Sequence, residues 1–208
     1  SEYIMKPVLI KKLIFTGTLL AGVLSCIHPI YPEEQLLQHL GTLVLLVPVC
    51  IDLKKNRLSL FAFACVSLFI IFHIIGARYI YSFVPYSEWI KSVFQVDINT
   101  LFPAARNNYD RFVHFIFGVL FLPFFVEIIR IKSVRNKILS VLIAWAFIQA
   151  LSMLYEVFEW MLTLVMSNEA ANNYNGQQGD MWDAQKDMAI AMLGSTLMAF
   201  CYLFRKAK

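Results

Sequence analysis

Residues 177–194 read QQGDMWDAQKDMAIAMLG, from Gln177 to Gly194, and no charged residue follows until after Phe204. If this stretch is helical, Asp180, Asp183 and Asp187 stand at i, i+3 and i+7, so all three carboxylates share one face. The uncharged run from Met188 to Phe204 has nearly the length that a hydrocarbon core of about 30 Å requires at 1.5 Å rise per residue. Three acids therefore open what reads as a membrane span, where unpaired charge is costly.

The rest of the chain agrees with that setting. Of its 208 residues 59% are hydrophobic and 15% are charged, and the mean hydropathy is +0.64. A soluble domain carries roughly 25% charged and 45–50% apolar residues. The composition predicts an all-α, polytopic membrane helix bundle forming a single integral membrane domain over residues 1–208. The net charge of +4 comes from short basic clusters between apolar runs. Topology explains such clusters, and no nucleic-acid partner is expected. Cys26, Cys50, Cys65 and Cys201 show no CxxC spacing, so neither disulfides nor a thiolate metal site is expected.

Six apolar runs have the length of spans, at about residues 8–30, 36–53, 58–84, 109–131, 138–166 and 180–204. Between the third and fourth, YSEWIKSVF is amphipathic and aromatic enough to lie on a membrane surface. A polar loop rich in Asn, Gln and Gly, Ser167–Gly179, precedes the sixth run. Six spans put both ends of the chain on one side. That side collects Lys6, Lys11, Lys12, Lys54, Lys55, Arg57, Arg130, Lys132, Arg135, Lys137, Arg205, Lys206 and Lys208, which are 13 of the 18 basic residues. Only three of the 14 acids, Glu2, Asp52 and Glu127, lie there. The positive-inside rule then predicts that both termini are cytoplasmic.

With that topology the remaining ionisable residues converge. His73, Arg78 and Tyr79 end the third span, and Asp110, Arg111 and His114 open the fourth. Glu156 and Glu159 come late in the fifth, while Asp180, Asp183 and Asp187 open the sixth. Four helices thus bring polar groups to one depth near the outer interface. The spacings are helical: Asp110 and His114 at i, i+4, Glu156 and Glu159 at i, i+3, Asp183 and Asp187 at i, i+4. Facing pairs of this kind build metal sites in helix bundles. Such a set of carboxylates needs compensating cations. A divalent metal, Zn, Mn, Fe or Mg, suits oxygen ligands with one or two imidazoles.

Plainer roles stand beside these. Asp180 fits a solvated helix start, where the dipole favours an acid. His73 alone fits a core histidine bonded to a carbonyl, and Asp110 with Arg111 fits an interfacial salt bridge. His28 and His39 fit loop or interface positions. Trp89, Trp160, Trp182 and Tyr81 fit an outer aromatic belt, and Trp145 a packing or lipid-facing position. Ala191 and Gly194 continue the Asp187 face and suit a close helix approach.

HIIGARYIYSFVP, NNYDRFVHF, YEVFEW and GDMWDAQKDM together resemble a family of bacterial inner-membrane proteins, the YjdF-type family. The resemblance covers most of the chain and implies a multi-pass protein of the bacterial inner membrane. Asp110-Arg111-x-x-His114, Glu156-x-x-Glu159 and the Asp183/Asp187 helix with Gly194 are also similar, more distantly, to the VanZ-like membrane fold of the cell envelope. Arg111 stands where that group usually has lysine, and Glu159 where it usually has glutamine.

The function expected from these residues is a metal-dependent hydrolase or transferase of a membrane lipid or lipid-linked envelope substrate. His114, Glu156, Asp183, Asp187 and Asp110 are its candidate metal ligands. Glu159 and His73 are the candidate catalytic groups, with Arg78, Tyr79 and Arg111 binding a lipid phosphate. The alternatives are a proton- or cation-coupled transporter or flippase, and a non-catalytic envelope factor in which the cluster only locks the bundle.

Overall fold

The computed structural model describes residues 2–98, 106–132, 134, 136–165 and 178–204, with side chains from residue 7 onward. The described residues form helices α1 (Glu2–Ser25), α2 (Pro32–Lys55), α3 (Leu60–Arg78), α4 (Tyr86–Phe94), α5 (Tyr109–Lys132), α6 (Lys137–Val165) and α7 (Asp183–Phe204), with no strand among them. All but α4 are long and apolar enough to cross a membrane, which makes six candidate spans. Arg135, the tail from Arg205, residues 99–105 and the 167–177 part of the polar loop lie outside the described residues.

Successive spans run in opposite directions, as contacts at both ends show. At one end Lys11 on α1 meets Asp52 on α2, Ser59 meets Glu127 on α5, and Lys137 on α6 donates to the Leu203 carbonyl of α7. At the other, Arg78 on α3 reaches the Ser25 carbonyl, Tyr109 on α5 the Phe72 carbonyl, and Arg111 reaches Asp180 before α7. The first end carries the basic clusters and the second the convergent acids.

The outer helices turn their leucines outward. On α1, Leu9, Leu13, Leu20, Val23 and Leu24 are exposed, while Lys11, Thr18 and Ser25, at i, i+7 and i+14, are buried. On α2 the buried set is Gln35, Gln38, Thr42, Val49 and Asp52. That inversion fits helices whose apolar faces meet lipid and whose polar groups pair with one another. Lys11, expected among the flanking charges, is only 1% exposed. Its ammonium donates to Asp52 Oδ2 at 2.7 Å, Asn56 Oδ1 at 2.9 Å and the Leu58 carbonyl at 2.7 Å. Asp52 Oδ1 in turn accepts the backbone N–H groups of Arg57 and Leu58. All three ammonium donors are satisfied, so the charge can stay buried.

Two helix bounds differ from the sequence expectation. The third span ends at Arg78, not near residue 84, because Ile80 and Tyr81 turn the chain with φ of 45° and 57°. Tyr81 folds back, its N–H bonding the Gly76 carbonyl at 2.8 Å. A Cβ on Gly76 would lie 2.6 Å from the Tyr81 ring, so only glycine admits this turn. Tyr81 is 6% exposed and belongs to the core rather than to an aromatic belt, whereas Trp89, Trp160 and Trp182 are exposed. At the sixth span, helix begins at Asp183 and Asp180 lies in the preceding turn. Asp180 Oδ1 accepts the Trp182 N–H at 3.1 Å and its carbonyl accepts the Asp183 N–H at 3.2 Å. That is a cap and not a continuation of the helical face.

The short α4 buries none of its residues. It is tethered through an edge contact between Trp89 and Tyr79, ring centroids 5.7 Å apart, and an Asn108 N–H bond to the Tyr86 hydroxyl. Its position at the acidic end and its exposed Trp89, Val93 and Phe94 suit a helix lying along an interface.

Helices α5 and α7 form the most extensive pairing in the bundle. They cross with backbones in contact. A Cβ on Gly118 would collide with the Ala191 carbonyl and come within 2.6 Å of the Ser195 nitrogen. A Cβ on Gly194 would collide with the Phe115 carbonyl. Helix α6 joins the same pair through Trp145 Nε1 to Thr196 Oγ1 and Gln149 Nε2 to Ser195 Oγ, each at 2.9 Å.

Candidate functional site

The glycine crossing decides what meets at the acidic end. His114 lies four residues before Gly118 and Asp187 seven before Gly194, each on the face that its glycine presents to the other helix. Asp110, His114 and Asp187 consequently offer ligand atoms that all lie within 4.8 Å of one another. Helix α6 adds Glu156 on the stripe that runs through Gln149 and Ser152, with Glu156 Oε1 3.5 Å from His114 Nε2. Asp110 Oδ1 is 3.8 Å from the same nitrogen. Relative exposure is 2% for Asp187, 7% for Glu156 and 8% for both Asp110 and His114.

These groups approach one another without bonding. Among the described residues, Asp187 Oδ1 and Glu156 Oε1 are fully buried and accept no hydrogen bond. Arg111 Nε, 3.9 Å from Asp187 Oδ1, is likewise buried without an acceptor among them. Burying a carboxylate oxygen without a hydrogen bond costs about 1–3 kcal/mol or more, which charge contacts at 3.5 and 3.9 Å offset only in part. The convergence therefore asks for a cation or for protons. Glu159, 9% exposed and one turn beyond Glu156, is hydrogen-bonded by Tyr155 and lies within electrostatic reach of Asp110 and Glu156.

Above this cluster lies a layer of paired charge. Asp183 is bonded by Arg106 and lies 3.2 Å from Arg111, and Asp180 is bonded by Arg111 and by Lys186 at 2.7 Å. Asn107 and Gln178 add a reciprocal pair: Asn107 N–H to Gln178 Oε1 at 2.8 Å, and Gln178 Nε2 to the Asn107 carbonyl at 3.0 Å. The Lys186 ammonium first, then the Trp182 N–H and the Arg111 guanidinium, hold the Asp180 carboxyl well below the ordinary carboxylate range. A depressed folded value means that this contribution is complete above the unfolded value and is lost only as pH falls through the lower folded one. The Asp180 bridge is thus expected to be insensitive to pH between about 5 and 8. Asp180→Asn should lower the melting temperature equally at both limits, and a loss confined to the acid side would contradict the assignment.

The structure separates the sequence candidates into three groups. Asp110, His114, Glu156 and Asp187 converge, with Glu159 behind them. Asp183 and Arg111 form the ion-paired layer, so Asp183 faces two guanidinium groups and Arg111 is already engaged. His73, Arg78 and Tyr79 belong to a different polar cluster, on α1, α2 and the end of α3. His73 Nε2 donates to the Gln38 carbonyl at 3.2 Å, which leaves Nδ1 to accept the Tyr81 hydroxyl at 2.5 Å. Arg78 donates to the carbonyls of Ser25, Ile27 and His28, closing the end of α1. Tyr79 packs on Trp89. His39, expected at a loop or interface, sits on α2 and bonds Gln35 and Thr42.

Arg106, Asn107, Gln178 and Gly118 escaped the sequence reading. Arg106 is the one basic residue in the stretch just before α5, on the side that gathers most of the acids. That charge imbalance was the available signal. Gly118 lies two turns beyond Asp110, and nothing but the crossing itself marks it.

Comparison with known proteins agrees with this architecture. The sequence model of a family described as predicted membrane proteins, DUF2238, matches residues 10–208. The chain is 29% identical over 149 residues to the inner membrane protein YjdF of Escherichia coli (strain K12), a match covering 68% of this chain and 64% of that protein. The chain therefore spans slightly under two-thirds of that relative's length. No solved structure matches it. A family match running from residue 10 to the last residue, over a chain of six apolar spans, places this protein in the YjdF-type family of membrane proteins, DUF2238.

Proposed function

We propose that Asp110, His114, Glu156 and Asp187 form an intramembrane divalent-cation centre that serves hydrolysis or group transfer on a lipid or lipid-linked envelope substrate. The protein is a multi-pass protein of the bacterial inner membrane. In the orientation that the positive-inside rule favours, the basic end faces the cytoplasm and the centre opens toward the extracytoplasmic face. The observation that carries the proposal is the pair of buried carboxylate oxygens, Asp187 Oδ1 and Glu156 Oε1, that accept no hydrogen bond beside the His114 imidazole. Three carboxylates and one imidazole suit Zn, Mn, Fe or Mg. A cation held by these four residues would supply Lewis acidity, and Glu159, one turn beyond Glu156 on α6, would act as the general base. Arg106 and Arg111 would receive a substrate phosphate by exchange with Asp180, which at 17% side-chain exposure is more open than Asp183 at 4%.

Elemental analysis of the purified protein tests this. Native protein should hold close to one equivalent of a divalent metal. Asp187→Asn and His114→Ala should each weaken retention beyond the roughly 10–100-fold loss typical of changes to outer partners. A native protein without stoichiometric metal, after purification free of chelator, overturns the proposal.

One observation favours a second role. Glu159 extends the buried acids a turn along α6, with Tyr155 on it, as a chain of proton-holding groups would. A proton-coupled transporter would show no bound metal and a substrate flux in proteoliposomes that collapses with the proton gradient.

A further inference from the structure

We propose that Arg57 and Arg130, at the end of the bundle opposite the acids, bind the phosphate group of an anionic membrane lipid. The two residues line one cavity of about 550 Å³ together with Ser59, Glu127 and Ile131. It lies between the α2–α3 turn and the last turn of α5, beside the start of α3.

The charges in this cavity are not paired with one another. Glu127 is the obvious partner for either arginine, yet both its oxygens are engaged by Ser59. Oε2 accepts the Ser59 N–H at 2.7 Å and Oε1 accepts the Ser59 hydroxyl at 2.6 Å. The Arg57 backbone N–H serves Asp52 Oδ1, but among the described residues its guanidinium makes no hydrogen bond or ion pair, nor does that of Arg130. Two planar, five-donor groups thus border one cavity while its carboxylate is turned to the helix start. A tetrahedral oxyanion is the ligand that satisfies such forks, through paired N–H contacts.

The position selects the source of that oxyanion. Lys54, Lys55 and Lys132 surround the same end, and Ile131, 40% exposed, offers an apolar edge for an acyl chain. Basic pockets at helix ends beside a membrane surface collect acidic lipid headgroups. The positive end of the α3 dipole adds to the attraction. Nothing here depends on the acidic centre, which lies at the other end of every span.

The test measures lipid binding to full-length protein in nanodiscs or detergent, with phosphatidylglycerol, phosphatidylcholine and inorganic phosphate as separate probes. Wild type should bind phosphatidylglycerol in preference to phosphatidylcholine, and inorganic phosphate should compete poorly. Phosphate competing as well as the lipid would keep the oxyanion site and make its source soluble. Arg57→Gln and Arg130→Gln should each weaken binding about fivefold, and the double variant roughly thirtyfold. Both side chains are exposed, so the variants should fold, and an unchanged melting temperature reports that the bundle is intact. Arg57→Lys/Arg130→Lys keeps the charge and loses the fork. Full binding by that variant, or equal binding of both lipids by wild type, overturns the proposal.

Discussion

Lys11→Met is expected to destabilise the folded bundle by about 3–5 kcal/mol, because it leaves a buried carboxylate without its counter-ion. Lys11 and Asp52 have side chains only 2% and 4% exposed, with a 2.7 Å ion pair between them. Removing the ammonium also strips acceptors on Asn56 and the Leu58 carbonyl of their donor. Asn56 sits at φ 44°, closing α2, so the loss reaches the turn that sets α3 against α1. Lys12→Met is the control, since Lys12 is exposed and its replacement should shift stability by no more than about 0.5 kcal/mol. The double variant Lys11→Met/Asp52→Asn should recover part of the loss, as removing both charges leaves none unpaired. Thermal or denaturant unfolding in detergent reads all three. A Lys11→Met protein as stable as wild type would show that the ammonium is not buried as described.

The second large effect is expected at the glycine crossing. Gly194→Ala places a methyl group against the Phe115 carbonyl and Gly118→Ala one against the Ala191 carbonyl, so backbone must move in either case. Overpacking of this kind costs about 1–3 kcal/mol. The functional loss should be larger than the stability loss suggests. Asp187 and His114 are carried on the two helices that the methyl group pushes apart, and a misplacement of about 1 Å in a preorganised site can cost roughly 100-fold. Gly17→Ala supplies the contrast, because a Cβ there meets nothing within 4 Å. That change should be neutral or stabilising, by up to about 1 kcal/mol of helix propensity. Metal affinity equal to wild type in Gly194→Ala would mean that the crossing does not position the site.

How much of this was legible in the sequence follows from the range of each signal. A span is a local property of some 20 residues, so hydropathy alone located all six. The convergence of Asp110, His114, Glu156 and Asp187 was legible too, because alternation of spans fixes which end each residue occupies and helical spacing fixes which residues share a face. Rotation of each helix about its axis was not. Lys11 and Lys12 are adjacent and identical, yet one is buried and the other exposed, and only the placement of α2 decides between them. His73, Arg78 and Tyr79 reach the correct end but face α1, α2 and α4 rather than the acids. Their motif also hid its turn. Ile80 and Tyr81 take positive φ without a glycine or asparagine to announce it, while the required glycine is Gly76, a turn earlier in the helix. Arg106 became visible only once α5 and α7 were set against each other.

The most direct test of the proposed cation centre is an anomalous-scattering map of the protein loaded with Mn or Zn, compared with Asp187→Asn prepared identically. A single peak among the side chains of Asp110, His114, Glu156 and Asp187, absent in the variant, is the expected result. A native map with no anomalous density there, or a peak unchanged by Asp187→Asn, would contradict it.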